Sequence, residues 1–239
     1  MKRILILLVA LTSMTSVMAQ KKLTASKIGI DAPGDHLMAE VSYDRWLGAT
    51  DSINSHTKGF SRGLNIYFML NKPFKTDPHW SVAFGLGIGS SNMVFKKMSV
   101  DLTATGNTLP FTALDSTNHF KKFKLSTSYV EIPVELRYTF HPEDLKKSWK
   151  IAFGAKVGTM INAHTKGKIW QDKNNNTLIN YIVKEDRKTF LNGTKVAATL
   201  RVGMGNYSVF GSYQITSLLK DGAGPVIHPI QIGFCLSGL

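Results

Sequence analysis

From about residue 36 onward the chain alternates apolar and polar positions with a period of two, in stretches of ten residues or more. Val130, Ile132, Val134, Leu136, Tyr138 and Phe140 fall on one face; Tyr129, Glu131, Pro133, Glu135 and Arg137 fall on the other. A helix would scatter these two sets around its axis, whereas a strand sends successive side chains to opposite sides. The same parity separates Leu64, Ile66 and Phe68 from Gly63, Asn65 and Tyr67, and Ile151, Phe153 and Val157 from Gly154, Lys156 and Gly158. It separates Leu200 and Val202 from Lys195, Thr199 and Arg201, and Ile230, Ile232 and Phe234 from Gln231, Gly233 and Cys235. Eight strands are predicted, near 37–47, 60–70, 80–98, 121–140, 149–168, 189–204, 207–219 and 226–238.

The connectors alternate as well. Those at 71–79, 141–148 and 205–206 are short, the last a Gly205-Asn206 pair suited to a two-residue hairpin. Those at 48–59, 99–120 and 169–188 are long and polar, and 220–225 is a short exception. An even strand count with short turns at one end and long loops at the other is the pattern of a bacterial transmembrane barrel. The expected fold is therefore all-β, an eight-stranded antiparallel up-and-down transmembrane β-barrel. The third long loop carries a hairpin signal of its own, 168–171 and 177–184 around a turn at 172–176. It extends the strands above the membrane, or, as the alternative, raises the count to ten.

Alternation alone does not say which face is outside. A soluble, lipocalin-like carrier turns its apolar face inward around an apolar ligand, and a membrane barrel turns it toward lipid. Two features favour lipid. The polar face is rich in glycine (Gly85, Gly87, Gly89, Gly154, Gly158, Gly203, Gly233), which suits a narrow, crowded interior. Trp80, Tyr138, Phe140, Trp149 and Tyr207 gather where strands meet the short turns, as an interfacial girdle would. With that choice Glu40, Asp44, Glu131, Glu135, Arg137, Lys156 and Arg201 point into the lumen, with Arg62 near an outer end. Charges of both signs in a narrow interior are tolerable only when paired, so a salt-bridge network is expected to plug the barrel.

The first residues read as an address. Lys2 and Arg3 precede an apolar run at 4–11, and Val17, Met18 and Ala19 form a small-x-small cleavage pattern, giving a signal peptide at 1–19 and a barrel domain at 20–239. After it no run of eighteen apolar residues occurs, so the spanning elements are expected to be strands. The single cysteine, Cys235, excludes an internal disulfide. The excess of 29 Lys+Arg over 16 Asp+Glu points, for an exported Gram-negative protein, to anionic lipid rather than nucleic acid.

These strands resemble the PorT-like small outer-membrane β-barrel family. The likeness is carried by Tyr129, Glu131, Ile132 and Pro133, similar to that family's Y-x-E-I-P strand, by Gly154, Lys156 and Gly158 in the next strand, and by Gly222, Gly224 and Pro225 before the last. It covers nearly the whole mature chain. It implies an outer-membrane location and, in some relatives, a part in protein secretion. The chain departs from outer-membrane barrels in general at its end, where Leu239 stands in place of a terminal Phe.

The histidines are the candidates for catalytic and metal chemistry. His36, His56, His79, His119, His141, His164 and His228 are scattered, none with metal-ligand spacing, and no phosphate-cradling glycine loop occurs. His164 and His228 fall near the outer rim, where a lipid-processing enzyme would need them. The reading adopted is non-enzymatic, without catalytic residues, cofactor or metal. The role is structural or accessory, in secretion or in scaffolding protein partners through the external loops; a narrow channel for small solutes is the alternative. Lys96, Lys97, Lys121, Lys122, Lys124, Lys166 and Lys168 border the outer loops and are candidate contacts for lipopolysaccharide phosphates, as against an ordinary solvated rim.

Overall fold

A computed structural model describes residues 37–145 and 147–238. The signal peptide at 1–19, the segment 20–36 and Leu239 lie outside them. Among the described residues are strands β1 (Leu37–Leu47), β2 (Arg62–Pro73), β3 (Trp80–Phe95), β4 (Met98–Val100), β5 (Phe111–Ala113) and β6 (His119–Thr139). There follow β7 (Trp149–Gln171), β8 (Thr177–Asp186), β9 (Thr194–Met204), β10 (Tyr207–Gln214) and β11 (His228–Ser237), and one short helix, α1 (Asp51–His56), lies between β1 and β2. Eight strands close a ring in the order β1-β2-β3-β6-β7-β9-β10-β11, with β11 pairing back on β1, every neighbour antiparallel. Closure leaves no open edge in the ring, so its backbone donors and acceptors are satisfied without water.

Parity within the ring is that of a membrane barrel. Val41, Leu64, Phe68, Leu86, Ile132, Phe153, Val209 and Phe234 are exposed on the outside, while Glu40, Asn65, Glu131, Glu135, Lys156 and Arg201 are buried within. A carrier of an apolar ligand would need the reverse. Short turns at 74–79, 140–148 and 205–206 lie at one end together with the chain's own closure, Gly238 N–H to Leu37 C=O at 3.0 Å. Trp80, Phe140, Trp149 and Tyr207 stand outward at that end, and Trp80 packs edge-on against Tyr138 at 4.9 Å.

Three features depart from the expected strand map. First, β3 stops at Phe95 because Lys97 takes a positive φ of 52°, which ends extended pairing; β4 then pairs with β5 as a separate hairpin. Second, residues 189–193 and 215–219 are not strand: Phe190, Leu191, Leu218 and Leu219 fold inward over the mouth. Third, the hairpin in the third loop lies outside the ring. β7 pairs with β9 only up to Thr159, and above that β8 takes the vacated edge from His164 to Gln171. β6, β7 and β8 thus rise past the barrel as a three-stranded flap, and the ring keeps eight strands.

Candidate functional site, a charge-filled lumen beneath an apolar cap

The inward positions of the ring supply four carboxylates, Glu40, Asp44, Glu131 and Glu135, and four cations, Arg137, Lys156, Lys195 and Arg201, all buried. Their formal charges cancel. Nearest the turn end, Glu135 accepts from Arg137 Nε at 2.9 Å and from Arg201 at 2.5 Å. Farther along, Glu40 accepts from Lys156 Nζ at 2.7 Å and Asn65 Nδ2 at 2.8 Å. Glu131 accepts from Lys195 Nζ at 2.8 Å and from the Tyr67 hydroxyl at 2.6 Å. Asp44 takes hydroxyl bonds from Ser42 and Ser91, and the Gln231 amide at 3.2 Å. Lys156 also sits over the rings of Tyr67 and Phe210, at 4.6 and 5.4 Å, which adds cation–π attraction where water is excluded.

Glycine makes the close fit workable. Gly87 faces Tyr67 across the β2–β3 pair, and a Cβ there would lie 2.5 Å from the Tyr67 ring; at Gly89 it would lie 2.7 Å from the Glu131 carboxylate. Filled in this way, the interior holds two small voids among the described residues. One of about 20 Å³ lies beside Lys195 and Gln231, and another of about 20 Å³ near Arg137 and Arg201 at the turn end. Each has room for about one water molecule.

Above Asp44 the inner surface becomes apolar. Trp46, Met93, Phe95, Phe123, Leu125, Tyr129 and Met160 from the strands meet Ile53, Leu102, Leu109, Phe190, Leu191, Leu218, Leu219 and Ile227 from the loops in one buried cluster. Trp46 packs edge-on to Phe95 at 5.7 Å and to Phe111 at 6.4 Å. Backbone bonds sew the loops together: Leu109 N–H to Ala223 C=O at 2.8 Å, Lys220 N–H to Phe190 C=O at 2.9 Å, and Lys96 N–H to His56 C=O at 2.7 Å. The loops thus form a cap over the charged lumen.

Of the residues singled out in the sequence, all seven expected in the lumen lie inside, in three ion-paired groups and the Asp44 cluster. Arg62 does not join them: it shares the outward parity of Leu64 and stands over the Phe60 ring at 5.3 Å. Lys195 and Tyr67 complete the network, and their polar-face parity in β9 and β2 is the signal that identifies them. The cap residues that the loops contribute, such as Leu109, Phe190 and Leu219, carry no periodic signal.

Among the described residues the histidines bring together no nucleophile relay. His164 Nδ1 meets Asn162 Oδ1 at 2.7 Å, and His228 Nδ1 meets the Gln214 carbonyl at 3.1 Å. His56 bonds Asp115 at 2.8 Å with Ser55 nearby, but its Nδ1 faces the Ser52 carbonyl at 2.6 Å and must donate there, so it cannot accept the Ser55 proton. Among the described residues no group of three metal-ligating side chains converges. The seven rim lysines separate into three settings. Lys122, Lys124, Lys166 and Lys168 share one face of the flap, whereas Lys96 and Lys97 line an open concavity of about 360 Å³ with His56 and Asp115, and Lys121 alternates to the other face of β6.

No curated protein matches the chain. Among solved structures it is similar to Ail, the attachment invasion locus protein of Yersinia pestis, at 13% identity with a TM-score of 0.35, over 86% of this chain and 99% of that one. It is likewise similar to the same protein in complex with the heparin analogue sucrose octasulfate, at 12% identity and a TM-score of 0.33, with the same coverage. The outer membrane protein beta-barrel domain family matches residues 28–215, most of the length. The ring closes with its apolar face outward, and the chain belongs to that family and resides in the outer membrane.

Proposed function

We propose that this chain is a closed, non-enzymatic barrel with a structural or accessory role in the outer membrane, holding a rigid external platform for partners, those of protein secretion included. The observation that carries the reading is the lumen: eight buried charges sum to zero, and two voids beside them have volumes of about 20 Å³ each. An eight-stranded interior is wide enough for side chains and little else. The apolar cap adds a second seal, since a permeating ion would have to pass a buried layer made largely of apolar side chains. The PorT-like strand at Tyr129, Glu131, Ile132 and Pro133 supports a place beside secretion-linked relatives. Two of its residues, Glu131 and Tyr129, belong to the lumen and cap, so the motif serves closure.

Planar-bilayer recording on the purified, refolded barrel tests this reading. Wild-type protein is expected to give a quiet baseline. Reproducible single-channel steps from a preparation that runs as folded on an unboiled gel would replace the platform with a narrow channel.

A further inference from the structure

The outward face of the flap carries a ladder of like charges. Lys124 pairs directly with Lys166 across β6–β7, Lys166 with Lys184 across β7–β8, and Lys122 with Lys168 one position farther out. Residues directly opposite in an antiparallel pair project from the same face, and like charges so placed repel. Arg62 lies toward this face from β2 and, with Lys166 and Lys168, depresses the Lys124 ammonium behind the larger effect of burial. The acidic residue on this face is Asp186, 3.9 Å from Lys184. Among the described residues no carboxylate is within ion-pair reach of Lys122, Lys124, Lys166 or Lys168. Lys124 instead donates to Asn92 Oδ1 at 2.5 Å, which holds the ammonium on the face without neutralising it. The opposite face of the same strands behaves ordinarily, packing Phe123 and Leu125 into the cap.

Height selects the anion. On β6 the outward apolar band runs from Phe140 through Leu136 and Ile132 to Val130; Lys124 follows six residues on. At ~3.4 Å per residue and a tilt of ~40°, Lys124 stands roughly 15 Å above Val130, level with Val94 of β3 and below Phe120 on the same face. The ladder therefore lies on the outer wall of the barrel, above the main apolar band, where the sugar-phosphate head groups of a surrounding glycolipid would meet it. It does not face the lumen or crown the loop tips.

We infer that the face formed by Lys122, Lys124, Lys166, Lys168 and Lys184, with Arg62 below it, binds the phosphate groups of an outer-leaflet glycolipid. Divalent cations ordinarily bridge such phosphates; a fixed row of ammonium groups does the same from the protein side and turns cross-strand repulsion into attraction once the anion is seated. The site goes beyond the platform role, because it would anchor and orient the barrel whether or not the lumen conducts.

The test is binding of rough lipopolysaccharide to the full barrel in detergent micelles, by surface plasmon resonance, with folding checked by mobility of the unboiled protein. Lys124→Gln/Lys166→Gln/Lys184→Gln is expected to weaken binding on the order of a hundredfold, from roughly fivefold per surface cation. Lys96→Gln/Lys97→Gln/Lys121→Gln removes the same charge elsewhere on the outer end and is expected to bind nearly as wild type. Dephosphorylated lipopolysaccharide should bind as weakly as the flap variant, and dextran sulfate more weakly than intact glycolipid. Equal losses in the two triple variants would reduce the site to diffuse charge and overturn it. Tight binding of the dephosphorylated lipid would also overturn it. Dextran sulfate binding as tightly as the glycolipid would move the ligand from the membrane to a soluble polyanion. If the flap triple does not fold, the single reversal Lys166→Glu, at the centre of the ladder, carries the same expectation.

Discussion

Lys156 illustrates how a single residue is held in this interior. It is fully buried, its ammonium donates to Glu40, and two aromatic rings cover it. A lone charge here would be intolerable, yet the pair is not worth what its short distance suggests, since both ions gave up water to form it. Lys156→Met is therefore expected to cost about 3–5 kcal/mol, by stranding the Glu40 carboxylate with Asn65 as its remaining donor. The double variant Lys156→Met/Glu40→Leu is expected to recover most of that loss. Urea unfolding midpoints in micelles compare the three proteins. A double variant as unstable as the single one would mean that the ion pair itself, and not the uncompensated charge, sets the stability.

At the scale of elements, one residue decides how the flap is used. Tyr129 pairs with Met160 while Ser128 pairs with Asn162, which leaves Ile161 as an extra residue in β7. Such a bulge reverses the parity of everything beyond it. Below it the even positions Ala152, Lys156 and Met160 are buried; above it the odd positions Ala163 and Thr165 are. Without the bulge, Lys166 and Lys168 would point at Phe123 and Leu125 in the cap. Deleting Ile161, by contrast, removes the bulge together with its extra residue, so the pairing above it is expected to be kept and position 166 to stay outward. A Lys166→Cys probe should therefore react with an impermeant maleimide equally in the otherwise unaltered chain and in the deletion variant, with Cys235 buried in both. Protection in the deletion variant alone would mean that β7 re-pairs in a different register.

At the scale of the whole molecule, a lipid-facing ring and a water-facing cap are joined by the strands that pass through both. The cap depends on contacts between loops distant in sequence, and one of them titrates. His56 ends α1 and reaches Asp115 beyond β5, with Nδ1 toward the Ser52 carbonyl and Nε2 toward the Asp115 carboxylate. Both ring nitrogens face acceptors, so the doubly protonated imidazolium is favoured; the Ser52 carbonyl raises its pKa most, then the Asp115 carboxylate. A value raised on folding adds stability that is complete below the unfolded value near 6.5 and is lost as pH climbs through the higher folded one. Hydrogen-exchange protection of the Lys96 and Leu114 amides, corrected for intrinsic rates, is expected to fall between mildly acidic and mildly alkaline pH, and to be flat in His56→Gln. A wild-type profile as flat as the variant's would remove this link from the cap.

Period-two parity, which depends only on backbone geometry, was enough to read β2, β6, β7, β9 and β11 and the direction in which Glu131, Glu135, Lys156 and Arg201 point. Parity is a local property, and a strand cannot hide it. Which carboxylate meets which cation was not legible: Lys156 reaches Glu40 across 116 residues and Arg201 reaches Glu135 across 66, distances that only ring closure brings to hydrogen-bond length. The long connectors read as polar loops, and their scattered Ile53, Leu109, Phe190 and Leu219 gave no period from which a core could be inferred. Those residues are buried because four loops converge on one mouth and exclude water together, an outcome no single segment encodes. The same holds for the lysine ladder. That lysines crowd the outer strand ends is legible from their positions along the chain; that five of them share one face follows from the pairing of β6, β7 and β8, since register is set by contacts between strands and not within them.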